Sequence, residues 1–200
     1  MTKRVGIFVS GGGSNMVALV RAMQAERFAE PVLVLSNHEA AGGIIKAQDL
    51  SVPTCIVSHK ARTKQAFEAE IQSVLDAHSV ELVALAGFMR VLSADFVAAW
   101  RGRLINIHPS LLPKYPGLNT HARALDAGDV LHGCTVHEVV ADVDAGPILG
   151  QAHVDVLEGD TEDSLALRVL RQEHRLYPRV LKQFVSGDRT PLILPKESAA

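Results

Sequence analysis

The stretch RVGIFVSGGGSNMVALVRAMQAERFAEPVLVLSN, Arg4–Asn37, decides the fold prediction. It begins with a short apolar run, continues through an amphipathic stretch long enough for a helix, and returns to a second apolar run. Apolar strands joined by helical crossovers are typical of parallel sheets that are covered on both faces. The stretch therefore predicts a βαβ unit with a glycine-rich turn after its first strand.

The same alternation continues toward the middle of the chain. It predicts helix, strand, helix, strand, helix and strand, in that order, at 42–50, 54–58, 63–78, 80–88, 93–100 and 103–108. The predicted fold class is therefore α/β, with a doubly wound, mostly parallel twisted sheet and helices on both faces.

The pattern changes after residue 109. A short helix is predicted at 120–128, followed by apolar runs at 133–140 and 147–156. These two runs are too close together for a helical crossover, so we expect an antiparallel C-terminal portion. A long amphipathic helix is predicted at 161–177, and Pro178 is expected to kink or end it.

Composition restricts the class of protein. With 200 residues, 48% of them hydrophobic, the chain can bury one sizeable core, and we expect a single domain over residues 1–200. A net charge of −2 gives no basic footprint for nucleic acid or an anionic membrane. Cys55 and Cys134 fit neither a disulfide framework nor a zinc site, and no apolar run approaches the ~20 residues of a membrane helix. We expect a cytoplasmic protein.

The first candidate site is SGGGSN, Ser10–Asn15, between the first predicted strand and helix. Backbone N–H groups at a helix N-terminus favour an anion, and glycine lets the backbone approach that anion closely. Met16 stands where a dinucleotide fingerprint needs glycine, and the Gly-Lys-Ser/Thr of a P-loop is absent. The segment therefore predicts a site for one phosphate of a small metabolite. The alternative is a tight turn without a ligand.

The second candidate site is LINIHPSLLPKYPG, Leu104–Gly117, where an apolar strand ends on two polar side chains. Residues two apart on a strand share a face, so Asn106 and His108 are expected side by side at the carboxyl edge of the sheet, where α/β folds bind ligands. An amide beside an imidazole suits a carbonyl that becomes an oxyanion. The prolines that follow predict an ordered, non-helical loop.

The third candidate site is the acidic turn DVDAG, Asp142–Gly146. A nearby carboxylate raises the pKa of a histidine, so Asp144 is expected to keep His108 charged if the two side chains meet. An ordinary acidic turn that closes a hairpin explains the same residues at least as well.

Other residues have plain structural alternatives. Met89 and Leu92, in GFMRVL, can line an apolar ligand cleft or pack in the core. Glu173 lies on a predicted helix, where charged residues usually form a solvated face. His137 is expected to be a strand residue near the pocket at best.

Together these motifs resemble the phosphoribosylglycinamide formyltransferase family of purine biosynthesis. The resemblance is carried by AGFMRVLS, LINIHPSLLPKYPG, HGCTVH and DVDAGPIL in this order, and it extends from SGGGSN to QEHRLYP. It implies a formyltransferase-like Rossmann variant that passes the formyl group of its co-substrate, 10-formyltetrahydrofolate, to the primary amine of glycinamide ribonucleotide. We further expect no metal, no nucleic acid and no membrane partner, and a monomer or weak homodimer.

The resemblance implies roles for residues at matching positions. Asn106 would bind the formyl oxygen, His108 would stabilise the oxyanion and help protonate the departing folate nitrogen, and Asp144 would hold His108 charged and aid proton removal. The amine substrate would be held by Gly13, Ser14, Asn15 and Glu173. The folate would be contacted by Met89, Arg90, Val91, Leu92, Asn106 and Asp142. Lys64 stands where some members carry an arginine for the anionic folate tail.

Three alternatives stay open. A hydrolase that releases formate from the same folate would be expected to carry an additional N-terminal domain, and a methionyl-tRNA formyltransferase would carry a C-terminal RNA-binding domain and more basic charge. A non-catalytic protein that binds a phosphometabolite would need the glycine turn but not Asn106, His108 and Asp144 together.

Overall fold

The computed structural model describes residues 2–194. The strands of the described part are β1 (Lys3–Val9), β2 (Ala29–Ser36), β3 (Thr54–Ile56), β4 (Leu82–Leu85), β5 (Leu104–His108), β6 (Leu131–Glu138), β7 (Ile148–Asp155) and β8 (Leu192–Leu194). Its helices are α1 (Ser14–Glu26), α2 (Gly42–Asp49), α3 (Lys64–Ala77), α4 (Ala94–Ala99), α5 (Thr120–Asp126) and α6 (Glu162–Ser186). Within residues 2–194, no helix has the length and apolar character needed to span a bilayer.

The strands follow the sheet order β3-β2-β1-β4-β5-β6-β7-β8. The predicted fold class, a mostly parallel sheet with helices and an antiparallel portion, is confirmed. The chain divides into two compact units, residues 1–106 and 107–200. The expectation of a single domain over residues 1–200 stays a prediction.

In the first unit every strand pair is parallel: β1 with β2, β1 with β4, β2 with β3, and β4 with β5. The strand order reverses between β1 and β4, because β2 lies on one side of β1 and β4 on the other. Such a reversal is the switch point where open α/β sheets bind ligands, outside the carboxyl ends of the strands. The two segments that leave the sheet there begin at Ser10 and Ala86.

In the second unit β6 and β7 pair antiparallel, as predicted, and β8 pairs parallel with β7. Helix α6 packs against β6 and β7. The sequence signals in 188–200 were too weak to predict β8, which has only three residues.

Helix α6 does not end at Pro178, which was one of the two predicted effects of this proline, but continues to Ser186. A proline inside a helix removes one hydrogen bond and costs about 3 kcal/mol. The residues on either side of it keep the apolar face of the helix buried, namely Leu176, Tyr177, Val180, Leu181 and Phe184. Burying a large apolar side chain stabilises by roughly 1.5–3 kcal/mol, so several of them outweigh the lost bond.

The proline-rich segment 109–119 has neither helix nor strand, as expected. Its order comes from hydrogen bonds to the neighbouring hairpin. The Leu112 N–H donates to Thr135 Oγ1 at 3.0 Å, and Thr135 Oγ1 donates to the Ser110 carbonyl at 2.7 Å. Gln151 Nε2 donates to the Leu112 carbonyl at 2.9 Å. Side chains of β6 and β7 therefore hold the segment in place.

Two histidines face each other in the second unit. His132, on β6 and 1% exposed, has its Nε2 3.1 Å from Nδ1 of His121 on α5. Burial lowers the pKa of His132 to about 4; His121 and His108 lower it too, while Asp129 and a hydrogen bond with the Pro109 backbone oppose the shift. His132 is therefore neutral in the folded protein at pH 7.

The N-terminus of α6 offers a test of local stability. Thr161 caps the helix, because its side chain accepts from the Ser164 N–H at 3.2 Å and Ser164 Oγ accepts from the Thr161 N–H at 3.0 Å. We expect Thr161→Ala to lower the free energy of unfolding by about 1 kcal/mol in urea denaturation. The matched Thr161→Ser keeps the hydroxyl and should stay near wild type. Equal stability of the two variants would show that the hydroxyl of residue 161 does not stabilise the helix.

His132 predicts how stability depends on pH. Its pKa in the folded state, about 4, lies below its ordinary 6.5, so between these pH values the unfolded chain binds a proton that the folded chain does not. Stability should therefore fall as the pH drops from 7 to 5, by less than about 1.4 kcal/mol per pH unit for one proton, since solvent screens part of the effect. Urea denaturation of His132→Gln at both pH values should show a smaller loss than wild type. A loss of equal size would contradict the assignment.

Candidate active site

The glycine turn joins β1 to α1 through backbone that only glycine adopts easily. Gly13 caps α1 with a left-handed conformation, φ 69°, and no side chain caps the helix. A Cβ added at Gly13 would lie 2.6 Å from Gly43 Cα, so a side chain there would displace the start of α2. Added Cβ atoms at Gly11 and Gly12 would meet nothing within 4 Å. The turn is therefore open on one side and closely packed on the other.

The electrostatics of the turn suit an anion. The first turn of a helix presents backbone N–H groups without intrahelical acceptors, and α1 has no acidic residue in its first turn. Lys46 on α2 places its ammonium at the turn, donating to the Gly12 carbonyl at 2.8 Å. The predicted binding residues Gly13, Ser14 and Asn15 thus lie at a locally positive helix end.

In the segment after β4, the residues proposed to contact the folate differ in their exposure to solvent. The side chains of Met89 and Val91 are exposed, at 68% and 63%, whereas Leu92 is buried. The core alternative therefore holds for Leu92 and is wrong for Met89. Val91 and Arg90 line a cavity of about 50 Å³ together with Lys64, Arg62, Thr63, His59 and Phe67. The first unit thus brings Lys64 and Arg90 together around one basic cavity.

Asn106 and His108 occupy alternate positions at the end of β5, as expected from their spacing. Asn106 is half-buried, and His108 is 5% exposed. Nε2 of His108 donates to the Tyr115 carbonyl at 2.9 Å, since a carbonyl can only accept. The proline-rich segment therefore fixes the orientation of the imidazole ring.

Asp144 lies beside His108, in the loop between β6 and β7. Its Oδ2 is 3.3 Å from His108 Nδ1 and accepts from the Gly117 N–H at 2.9 Å. Its Oδ1 is 3.5 Å from Nε2 of His137. The structure therefore brings His108 and Asp144, the two ionisable residues among the three predicted to be catalytic, into contact.

Burial and charge oppose each other at this pair. Burial lowers the pKa of His108, and the Tyr115 carbonyl and the Asp144 carboxylate raise it by less, so the pKa stays below its ordinary value. Burial raises the pKa of Asp144, but His137, the Gly117 N–H and His108 outweigh it, so that pKa is lowered. Asp144 favours the charged ring, as expected. Burial nevertheless has the larger effect, and it keeps His108 largely neutral at pH 7 in the free protein.

The last two predicted residues lie in the second unit. Glu173, on α6, is 6% exposed, so the alternative of a solvated helix face is wrong for this residue. Burial raises the pKa of the Cys134 thiol well above its ordinary value, and the nearby Glu173 carboxylate raises it further. Asp142 is exposed, and its carbonyl accepts from the Ala145 N–H within the turn.

Sequence reasoning missed three groups of the site. The Tyr115 carbonyl and the Gly117 N–H are backbone groups, which side-chain motifs do not mark. His137 was placed only near the pocket, although it faces Asp144 directly. Its position near the end of β6, close to the acidic turn along the chain, was the available signal.

Comparison with known proteins places this chain in a family. The sequence model described as formyl transferase matches residues 3–181. The phosphoribosylglycinamide formyltransferase of Escherichia coli (strain K12) is 42% identical over 183 residues, which cover 90% of this chain and 86% of that protein. These matches confirm the family resemblance inferred from the motifs.

Two further relatives differ in how much of them the chain covers. The trifunctional purine biosynthetic protein adenosine-3 of Drosophila melanogaster is 47% identical over 201 residues, but this chain spans only 15% of its length. A crystal structure of phosphoribosylglycinamide formyltransferase from Brucella melitensis is 53% identical with a TM-score of 0.89, covering 94% of this chain and 97% of that one. The chain therefore belongs to the formyl transferase family.

Proposed function

We propose that this protein is a phosphoribosylglycinamide formyltransferase, which transfers the formyl group of 10-formyltetrahydrofolate to the primary amine of glycinamide ribonucleotide in purine biosynthesis. The observation that carries the proposal is the 3.3 Å contact of Nδ1 of the buried His108 with Asp144 Oδ2, at the end of the strand that carries Asn106. The similarity to the Escherichia coli enzyme over most of both chains supports it.

The reaction needs an oxyanion stabilised and two protons moved. The amine nitrogen attacks the formyl carbon, its electron pair forms the new C–N bond, and the carbonyl electrons move onto oxygen. We assign the Asn106 amide as hydrogen-bond donor to that oxygen and His108 as the second stabilising group. The electron pair on oxygen then re-forms the carbonyl, and the pair of the breaking C–N bond leaves with the folate nitrogen, which gains a proton while the former amine loses one. His108 and Asp144 supply and accept these protons.

The contacts of His108 support an assignment of the ring nitrogen that exchanges a proton with the substrate. Both nitrogens face acceptors, with Nε2 at 2.9 Å from the Tyr115 carbonyl and Nδ1 at 3.3 Å from Asp144. The longer contact is the weaker one. We therefore assign Nδ1 as the atom that shares its proton with the substrate, while Nε2 keeps the ring in place. Developing negative charge on the substrate would favour the protonated ring that burial disfavours in its absence.

The binding residues complete the proposal. The positive end of α1, at Gly13, Ser14 and Asn15, would take the substrate phosphate, and Glu173 would take its ribose or glycinamide end. Lys64 and Arg90, at the basic cavity, would take the carboxylates of the folate tail. The apolar contacts to the pterin ring would come from the exposed side chains of Met89 and Val91. Leu92, whose side chain is in the core, would contribute only its backbone, beside Asn106 and Asp142.

The setting of the enzyme is part of the proposal. We infer a cytoplasmic enzyme that acts on small molecules alone, as a monomer or weak homodimer, without metal, nucleic acid or membrane.

One assay tests the proposed reaction. The purified protein is incubated with 10-formyltetrahydrofolate, with and without glycinamide ribonucleotide, and tetrahydrofolate is followed by absorbance. We expect tetrahydrofolate only when the amine is present, because water is not the intended acceptor. Tetrahydrofolate without the amine would identify a hydrolase, and none in either reaction would leave a binding protein.

Two substitutions test the assigned roles. Losing an oxyanion donor typically costs about 2.7–4 kcal/mol in barrier, and losing a general acid or base about 10²- to 10⁴-fold in rate. Asn106→Ala and His108→Ala should therefore lower kcat by at least ~100-fold, with circular dichroism unchanged. His78→Ala, at the end of α3, is the matched histidine control and should keep its rate. Turnover by His108→Ala at the wild-type rate would contradict the role assigned to His108.

A further inference from the structure

Ser10 stands where β1 meets the glycine turn, and three hydrogen bonds meet at this residue. Its N–H donates to the Gly87 carbonyl at 3.0 Å. Its Oγ accepts from the Met89 N–H at 2.8 Å and donates to Asn37 Oδ1 at 2.6 Å. One hydroxyl therefore ties the turn that follows β1 to the segment that follows β4, at the switch point of the sheet.

The segment after β4 is fixed at both of its ends. At its start, Ser10 holds the backbone at Gly87 and Met89. At its end, the buried carboxylate of Glu68 accepts from the N–H and the hydroxyl of Ser93. Between these anchors Met89 and Val91 expose their apolar side chains, at 68% and 63%. A fixed backbone that exposes apolar side chains is suited to a planar, partly apolar ligand.

Asn37 fixes the direction of the Ser10 hydroxyl. It is 3% exposed, and its Oδ1 accepts a hydrogen bond from the Ser10 hydroxyl, which leaves a lone pair of Oγ for the Met89 N–H. Its side-chain nitrogen Nδ2 and its backbone carbonyl oxygen each lie 3.3 Å from His59 Nδ1. Because His59 also lines the basic cavity with Lys64 and Arg90, the network reaches that cavity as well.

We propose that Ser10 is a positioning residue for the folate, which sets the Met89 backbone, and through it the exposed segment Met89–Val91, in the conformation that receives the pterin. The proposal rests on the proposed function and deepens it, because it assigns folate recognition to a residue of the glycine turn. Ser10 acts through Met89 and need not touch either substrate.

The geometry separates the effect on the folate from the effect on the phosphate site. The bond from the Ser10 N–H to Gly87 is a backbone bond and survives loss of the side chain. The glycine turn itself is held by the Gly43 N–H on the Gly11 carbonyl, at 3.0 Å, and by Lys46 on Gly12. Removing the hydroxyl therefore frees Met89 and leaves the turn in place.

The test compares Ser10→Ala with two control variants, Ser10→Thr and Ser164→Ala. Losing a neutral hydrogen bond should raise the KM for 10-formyltetrahydrofolate about 3- to 10-fold, with kcat and the KM for glycinamide ribonucleotide within about 2-fold of wild type. Ser10→Thr keeps the hydroxyl and should restore the KM for the folate. Ser164→Ala is the matched control, because Ser164 Oγ also accepts a backbone N–H, from Thr161 at 3.0 Å, and donates to a side-chain oxygen, of Asp160 at 2.7 Å. It should leave both KM values unchanged.

The outcomes separate this proposal from the proposed function. An equal rise in both KM values, or none, would overturn the role of Ser10. Calorimetric titration with tetrahydrofolate gives a second measure, in which Ser10→Ala should show the same 3- to 10-fold weaker Kd. If the wild type binds tetrahydrofolate without transferring formyl groups, the proposed function fails and the Kd ratio still decides on Ser10. A wild type that binds no tetrahydrofolate would overturn both.

Discussion

The Asp144 carboxylate, with a side chain only 10% exposed, is the group on which the order of the second unit's site depends. A carboxylate removed from water is costly unless donors satisfy it. Here the Gly117 N–H donates to Oδ2, and the rings of His108 and His137 lie 3.3 Å and 3.5 Å from its two oxygens. These groups come from the proline-rich segment, the end of β5 and the end of β6, while Asp144 itself lies between β6 and β7. One charge therefore holds four parts of the second unit in register.

The same burial that makes this charge costly also sets the chemistry of His108. Desolvation lowers the pKa of the ring, whereas the Tyr115 carbonyl and Asp144 raise it. A general acid or base works best when its pKa lies near the working pH, because the proton must be both gained and given up. A fully solvated histidine beside a carboxylate would hold its proton more firmly. The balance at His108 instead leaves the protonation state sensitive to charge that develops on a bound substrate.

The regular part of the fold could be predicted because periodicity reports burial directly. Apolar runs gave the strands, and the spacing of Asn106 and His108 gave their common face. Tertiary packing can outweigh a local rule, and α6 accordingly continues beyond Pro178 instead of ending there. Glu173 is a similar case, because its helix is amphipathic but the carboxylate lies on the buried side. The contact of Asp144 with His108 joins residues far apart in sequence, and no local pattern encodes such a distance.

The local backbone of the candidate site was also not predicted from the sequence, because single residues there have left-handed conformations. Gly13, Tyr115 and Asp144 have φ values of 69°, 56° and 54°. For residues other than glycine this conformation costs roughly 1–2 kcal/mol, although aspartate tolerates it better than most. Such strain persists where the surroundings fix the backbone. At Asp144 the donors to its carboxylate do so, and at Tyr115 the bond from His108 to its carbonyl does so. Single left-handed residues do not recur at a fixed spacing, so the pattern of hydrophobic residues cannot predict the loops of the candidate site.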